Sequence, residues 1–373
     1  MIGAGVFGAW TAYHLQKAGM SVVLLDAYGA GNSRSSSGGE TRIIRMGYGP
    51  DEIYTRSAQR SLRGWELLFA ETGQSFFRRT GVLWLAREKD AYCMSTIKTL
   101  SMSGVSFAEL SHSDLEQRYP QFNFAGVAFG IIEPESGVML ARQAVILLAD
   151  HLRKNGVEFY CEAILPPEGN GPLNGVVTSK SRTVYAKTFV FACGPWLPKL
   201  FPDLRELIHV TRQEVFFFGA PAGESGFRAP AMPTFIDFND LVYGIPDIDG
   251  RGFKIAIDAH GPELDPDSAE RMVTPDGLRA VRNYLQQRLP ALAAAPVLET
   301  RVCQYESTSN GDFLIDRHPQ FENVWLVGGG SGHGFKHGPM VGEHAATMIL
   351  GQGMVEPRFQ FAAKSKVRQR QVY

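Results

Sequence analysis

Met1-Ile-Gly3-Ala-Gly5-Val-Phe-Gly8 opens the chain, and Asp26 follows eighteen residues after Gly8. The glycine spacing is G-x-G-x-x-G. In such a turn the first glycine permits the tight bend, and the second lets backbone amides approach a pyrophosphate. The third lets a helix pack close to its strand. The pattern from about Val6 to Lys17 predicts that helix, and Ala18-Gly19 is its stop signal. Its N-terminus offers free N–H groups and a partial positive charge to phosphates. Gly3, Gly5, Val6, Phe7 and Gly8 are therefore candidate dinucleotide-binding residues. The run from Ser21 to Leu25 predicts a second strand ending on Asp26, whose carboxylate is placed for ribose hydroxyls.

Only Met1 and Ile2 stand before Gly3, where a first strand commonly has four or five apolar residues. The expectation is a clipped strand, or a true start upstream, with a cost in stability. Further on, residues 52–72 and 140–154 have helical periodicity, the latter through Ala144, Leu147, Leu148 and Leu152. Strands are expected at Val157–Tyr160, Thr188–Cys193 and Val324–Val327, and a last helix from Gly338 to Leu350. Residues 76–130 and 206–300 differ in character, with aromatics, alternating strands and Pro/Asp/Gly turns. Length alone favours two domains. The expected fold class is a discontinuous α/β dinucleotide-binding domain with a parallel sheet (1–75, 130–205 and 300–373). An inserted α+β substrate domain on a large mixed sheet (76–129 and 206–299) completes it.

Lys plus Arg (37) balance Asp plus Glu (38), so no global field directs the protein to nucleic acid or an anionic membrane. Cys93, Cys161, Cys193 and Cys303 form no C-x-x-C pair and no metal-ligand spacing, and no metal site is expected. A reducing compartment is the simpler setting for them. No apolar stretch reaches the roughly 18–20 residues of a membrane span. The chain opens without a basic and apolar leader, and Gln371-Val-Tyr373 is no peroxisomal address. A cytoplasmic location is expected.

A second glycine cluster, Val327-Gly-Gly-Gly-Ser-Gly-His-Gly-Phe-Lys336, lies between a strand and a helix. A nicotinamide enzyme rarely needs such a turn at its far end. Amides there, at Gly330, Gly332 and Gly334 and on to Lys336, suit a flavin ring or its ribityl chain, which points to FAD. With Gly39-Glu-Thr-Arg-Ile-Ile-Arg45, Tyr243-Gly-Ile-Pro246, Gly252-Phe-Lys254, Cys303-Gln-Tyr305, Phe313-Leu-Ile-Asp316 and Gly332-His-Gly-Phe-Lys336, the chain resembles the D-amino-acid-oxidase-type flavoproteins. Within them it is most similar to the monomeric sarcosine oxidase and N-methyltryptophan oxidase group. The resemblance spans nearly the whole chain.

The resemblance implies that Cys303 carries the flavin through a thioether, which calls for a thiolate and hence a cation nearby. It implies that Arg45 and Lys336 hold the substrate carboxylate, the first as a bidentate fork and the second as a point charge. Lys254 matches the lysine that promotes reaction with oxygen, with Arg42 beside it, and Tyr243 and Tyr305 match pocket tyrosines. On a strand, residues 254, 256, 258 and 260 would share one face. The sarcosine oxidases of the group have histidine where this chain has Gly38 and Asp258, and His260 is a candidate replacement for the second. These departures cast doubt on sarcosine itself as substrate.

The expected function is oxidation of an N-alkyl or cyclic amino acid by a monomeric FAD enzyme. Hydride passes to the flavin, oxygen takes the electrons, and imine and hydrogen peroxide result. Two alternatives stay open: a flavin dehydrogenase with a different acceptor, and a flavin-binding protein without turnover.

Overall fold

The computed structural model describes residues 1–367, so Gln371-Val-Tyr373 lies outside the described residues. Met1 to Gly3 serve as the middle strand of a parallel sheet. Ile2 bridges Leu25 on one side and Phe191 on the other. The Ile2 N–H donates to Val190 O at 2.8 Å, and the Gly3 N–H to Leu25 O at 2.7 Å. Outward from this centre lie Val23–Asp26 and then Glu158–Cys161 on one side. Phe189–Phe191 and then Val324–Gly328 lie on the other, all parallel, and Leu314–Arg317 closes that edge antiparallel. The pattern is Rossmann-like, with strand ends and glycine turns gathered at one edge.

The helix Val6–Lys17 spans the residues expected of it. With Ala141–Lys154 and Gly338–Ile349 it forms the layer over the sheet, around Trp10, Leu148 and Val341. Glu52–Thr72 packs on the outside of the C-terminal helix and stops at Gly73, whose φ of 68° is the left-handed conformation that favours glycine. No helix among the described residues is long and apolar enough to cross a membrane.

The second layer is an eight-stranded mixed sheet. Its order is Val297–Thr308, Ile208–Phe218, Phe253–Ile257, Val242–Ile245, Thr234–Asp237, Val82–Ala86, Phe129–Glu133 and Ala108–Ser111. Neighbours are antiparallel except Thr234–Asp237 beside Val82–Ala86. Its central strands are apolar on both faces for a physical reason. Phe216, Phe218, Phe235, Phe253 and Ile255 point to the helix Pro275–Arg288 and bury Val281 and Leu285. Val215, Phe217, Tyr243 and Ala256 point the other way, towards the first layer. Two strands of this sheet cross the expected domain limits: Phe129–Glu133 at residue 130 and Val297–Thr308 at residue 300. Helices Ala91–Met102 and His112–Arg118 lie in the stretch read as alternating strands.

Gly338 and Gly342, one turn apart, let the C-terminal helix seat directly on Trp10. A Cβ at Gly342 would stand 2.5 Å from the Trp10 carbonyl carbon, whereas one at Gly226 would meet nothing within 4 Å. Gly342→Ala must push two helices apart, at a cost of about 1–3 kcal/mol, typical of overpacking. Gly226→Ala should stay within about 0.5 kcal/mol of wild type. Thermal unfolding of both variants checks this; equal midpoints would show that the helix contact is loose.

Candidate active site

The two glycine segments enclose an elongated cavity of about 1210 Å³, counting its open mouth. Gly3, Gly5, Val6, Phe7, Asp26, Cys303, Gly330, Gly332 and Gly334 all line it. Gly3 has φ +101°, and a side chain there would overlap the Ala192 carbonyl, so only glycine fits. Gly8 does not reach the cavity. It lies against the Gly3 carbonyl, which a Cβ would overlap, and so serves the close helix–strand contact. The helix that starts at Val6 has no acidic residue in its first turn, leaving its positive end uncompensated. Asp26 accepts the Ala4 N–H at 2.8 Å and the Tyr28 N–H at 2.9 Å, and burial raises its carboxyl above the ordinary value. Ser37, which sequence reasoning missed, accepts the Val6 N–H at 3.0 Å. An elongated cradle of glycine backbone at a helix N-terminus fits a dinucleotide.

A second cavity of about 910 Å³ adjoins the first, and Arg42, Cys303, Tyr305, Gly332 and Phe335 line both. Sheet register explains how the side chains meet. Cys303 stands opposite Gln213, Tyr305 opposite Thr211, Lys254 opposite Phe217, and Tyr243 opposite Ala256. The period of two puts all of them on the face turned to the first layer. Arg45, Tyr243, Lys254, Asp258 and Lys336 line this second cavity. Lys336 therefore lies on the second cavity, not on the dinucleotide cavity where the glycine cluster suggested it.

Basic side chains dominate the lining of the second cavity. Lys254 is buried and donates to Thr41 O at 2.9 Å and Thr41 Oγ1 at 3.2 Å. Lys336 is buried and donates to Tyr48 Oη at 2.8 Å and His333 O at 3.0 Å. Neither lysine makes an ion pair among the described residues. Burial pushes both well below the usual lysine range, and the Arg42 guanidinium adds to this at Lys254 and that of Arg45 at Lys336. Arg42 donates to Ser36 O at 2.6 Å and to Cys303 Sγ at 3.4 Å. Arg45 donates to the Gly47 carbonyl and stacks 4.3 Å from the centre of the Tyr48 ring.

Two residues absent from the sequence reading hold this arrangement. Tyr48 touches both Lys336 and Arg45, and its hydroxyl also lies 2.8 Å from His337 Nε2. Glu133, fully buried, accepts the Met46 N–H at 2.7 Å, the Gly47 N–H at 3.0 Å, Trp84 Nε1–H at 2.9 Å and the Ser136 hydroxyl at 2.6 Å. That carboxylate fixes the loop that follows Arg45. No short motif marks Glu133, because its partners lie up to 87 residues away.

The two departures also find physical accounts. A side chain at Gly38 would overlap the Asn32 carbonyl, so the tight Asn32–Gly38 turn excludes a histidine. Asp258 takes the Tyr305 O–H at 2.5 Å, and burial raises its carboxyl to about 6. The strand carrying Lys254 ends at Ile257; Asp258, the next residue, still lines the cavity with Lys254, whereas His260 lies further along the turn. His260 lines neither cavity; its ring centre is 6.2 Å from that of Tyr305. No group of three or more His, Cys, Asp or Glu among the described residues is placed to hold a metal ion.

A family model described as FAD dependent oxidoreductase (DAO) matches residues 1–348. Peroxisomal sarcosine oxidase of Mus musculus is 31% identical over 352 residues, covering 92% of this chain and 89% of the relative. Monomeric sarcosine oxidase of Bacillus sp. (strain NS-129) is 30% identical over 361 residues, covering 93% and 91%. A crystal structure of L-proline dehydrogenase from P. horikoshii superimposes with a TM-score of 0.81 at 23% identity, over 95% of this chain and 94% of that one. The cradle and the matching profile agree: the chain belongs to the DAO family of FAD-dependent oxidoreductases.

Proposed function

We propose that the protein is an FAD-dependent amine oxidase acting on an N-substituted amino acid, N-alkyl or cyclic. One observation carries this reading. Lys336 and Arg45, joined through Tyr48, put two buried cations on a cavity that adjoins the cofactor cradle. Lys336 is buried and makes no ion pair among the described residues, and a buried charge is expensive unless it is paired, so the cavity calls for an anion. The substrate carboxylate supplies it, and its far end then places the amine towards the wall shared with the cradle. Tyr243 and Tyr305 flank the amine. The carboxyl of Asp258, linked to Tyr305, argues for an amine other than sarcosine. His260 acts through Tyr305 at most.

Bound FAD would supply the acceptor for a hydride from the carbon next to nitrogen and the route of the electrons to oxygen, with imine and hydrogen peroxide as products. The residues present serve that chemistry in separate places. Gly3, Gly5, Val6 and Phe7 hold the pyrophosphate, Asp26 the ribose, and Gly330, Gly332 and Gly334 the flavin end. Cys303, on the wall shared by both cavities with Arg42 donating to its sulfur, is the attachment point. Lys254, with Arg42 nearby, supplies positive charge where oxygen becomes anionic. In this reading residues of the parallel-sheet layer bind FAD and those of the eight-stranded sheet cover the substrate. The domain limits then move to the edges of that sheet. The four free cysteines suit a reducing cytoplasm, and the chain acts as a monomer.

Two measurements test these roles. Arg45→Met and Lys336→Met each remove a charge-assisted contact worth about 1.5–3 kcal/mol, so acetate should inhibit at least about tenfold less well. Unchanged inhibition in both variants would move the carboxylate elsewhere. Lys254→Met should slow reaction of the reduced enzyme with oxygen by at least about 100-fold, since preorganised charge is commonly worth ~3–4 kcal/mol. Reduction by amine should change far less. Because burial lowers the Lys254 pKa, the wild-type oxygen reaction should be faster at low pH and fall as the ammonium deprotonates. The variant should lack that fall. Stopped-flow absorbance separates the two half-reactions, and a wild-type oxygen rate in Lys254→Met would make the lysine structural.

A further inference from the structure

Glu306 sits on the strand Val297–Thr308, three residues past Cys303, and neither its type nor its spacing drew attention in the sequence. It is 7% exposed, and what it does expose faces the dinucleotide cavity. Its Oε1 accepts the Gly330 N–H at 3.2 Å. Its Oε2 is buried and has no hydrogen-bond partner among the described residues.

The surroundings show why that oxygen is bare. Glycine stands on three sides: a Cβ at Gly194 or Gly330 would come within 3.4 Å of the carboxyl oxygens, and one at Gly328 within 3.8 Å. Absent side chains leave the carboxyl uncrowded, and Glu306 lines the dinucleotide cavity together with Gly194 and Gly330. A buried carboxyl oxygen left without a partner costs about 1–3 kcal/mol. Here the missing partner must come from whatever fills the cradle.

We propose that Glu306 is a ligand of the FAD, its Oε2 hydrogen-bonding an oxygen of the ribityl–pyrophosphate stretch. The inference rests on FAD filling the glycine cradle. Beside a phosphate a carboxylate would repel, whereas a carboxylic acid donates, and it donates equally well to a ribityl hydroxyl. Burial raises the Glu306 carboxyl to about 8, so it carries its proton at neutral pH. The titratable group facing it is Cys193, with Asp26 and the Met1 ammonium beyond. Burial keeps the Cys193 thiol neutral and holds the Met1 amine near 5, so neither titrates between pH 7 and 9. The segment Gly328–Gly332 and the helix start Val6-Phe7-Gly8 bring no titratable side chain. Glu306 is therefore the group whose proton governs cofactor affinity in that window, and affinity falls as pH rises.

The test is FAD binding to the full-length chain in a Cys303→Ala background, which keeps flavin exchangeable, followed by quenching of flavin fluorescence. With Glu306 intact, Kd should rise about fivefold or more from pH 7 to pH 9, as a tight complex loses its proton donor. Glu306→Gln keeps an N–H donor and should hold its pH 7 affinity within about threefold without that rise. Glu306→Ala should lose about tenfold at pH 7. Competition by ADP, which has the pyrophosphate and no ribityl chain, locates the contact. If Glu306→Ala weakens ADP as well, the partner is the pyrophosphate; if it weakens FAD alone, the partner is the ribityl chain. A Kd independent of pH with Glu306 present, or a Glu306→Gln profile that still rises, overturns the proposal even if Glu306→Ala does not fold. Failure of the parent chain to bind FAD at all would instead overturn the cofactor assignment beneath it.

Discussion

Taking Arg45, Lys254 and Lys336 out of water around one cavity is the costly step in this structure, and much of the site follows from how the cost is limited. Removing an ion from solvent costs on the order of several kcal/mol even after relaxation. The protein answers with partial partners. Thr41 receives Lys254, Tyr48 and the His333 carbonyl receive Lys336, and the aromatic faces of Tyr48 and Trp84 receive Arg45. For the two lysines none of these partners is a full counter-charge. The lysines are therefore pushed towards neutrality until an anion enters, and an anionic ligand gains both the ion pairs and the protons that come with them.

The same constraint organises residues that touch no ligand. Glu133 satisfies two backbone amides of the loop after Arg45 and an indole N–H, so a carboxylate outside the cavity lining fixes the loop whose Gly47 carbonyl accepts from the guanidinium. The strand Val297–Thr308 pairs along its whole length with Ile208–Phe218. It carries Cys303 and Tyr305 to the wall shared by both cavities, and Glu306 to the dinucleotide cavity alone. One strand thus spans both cavities, and its register sets the separation between cofactor and substrate groups. A slip of one residue would turn Cys303 and Tyr305 away together.

The local signals in the sequence were strong where one short segment does one job. The first glycine turn, the helix Val6–Lys17 and the C-terminal cluster are legible because glycine spacing and helix stops act over a few residues. Arg45, Lys254, Lys336 and Cys303, distant in the chain, line one cavity. Less legible were features set by sheet pairing. Continuation of the Lys254 strand to residue 260 followed from a period of two; the strand ends at Ile257, the Asp258 N–H still bonds to Leu241 O at 2.6 Å, and His260 does not line the cavity. Tyr48, Glu133 and Glu306 carry no motif at all. Their importance comes from burial and from partners far along the chain, which periodicity does not encode. The central strands of the large sheet read as uniform apolar runs because helix and cavity each claim one face.

The central claim is that this FAD enzyme oxidises an amine whose carboxylate is gripped by buried cations. Anaerobic mixing of the purified yellow protein with N-methyl and cyclic amino acids, and with the same amines lacking the carboxylate, tests it most directly through the visible flavin band. The account predicts rapid bleaching by at least one N-substituted amino acid and far slower bleaching by its decarboxylated counterpart. Equal bleaching by both, or bleaching by none of the amino acids, would contradict it.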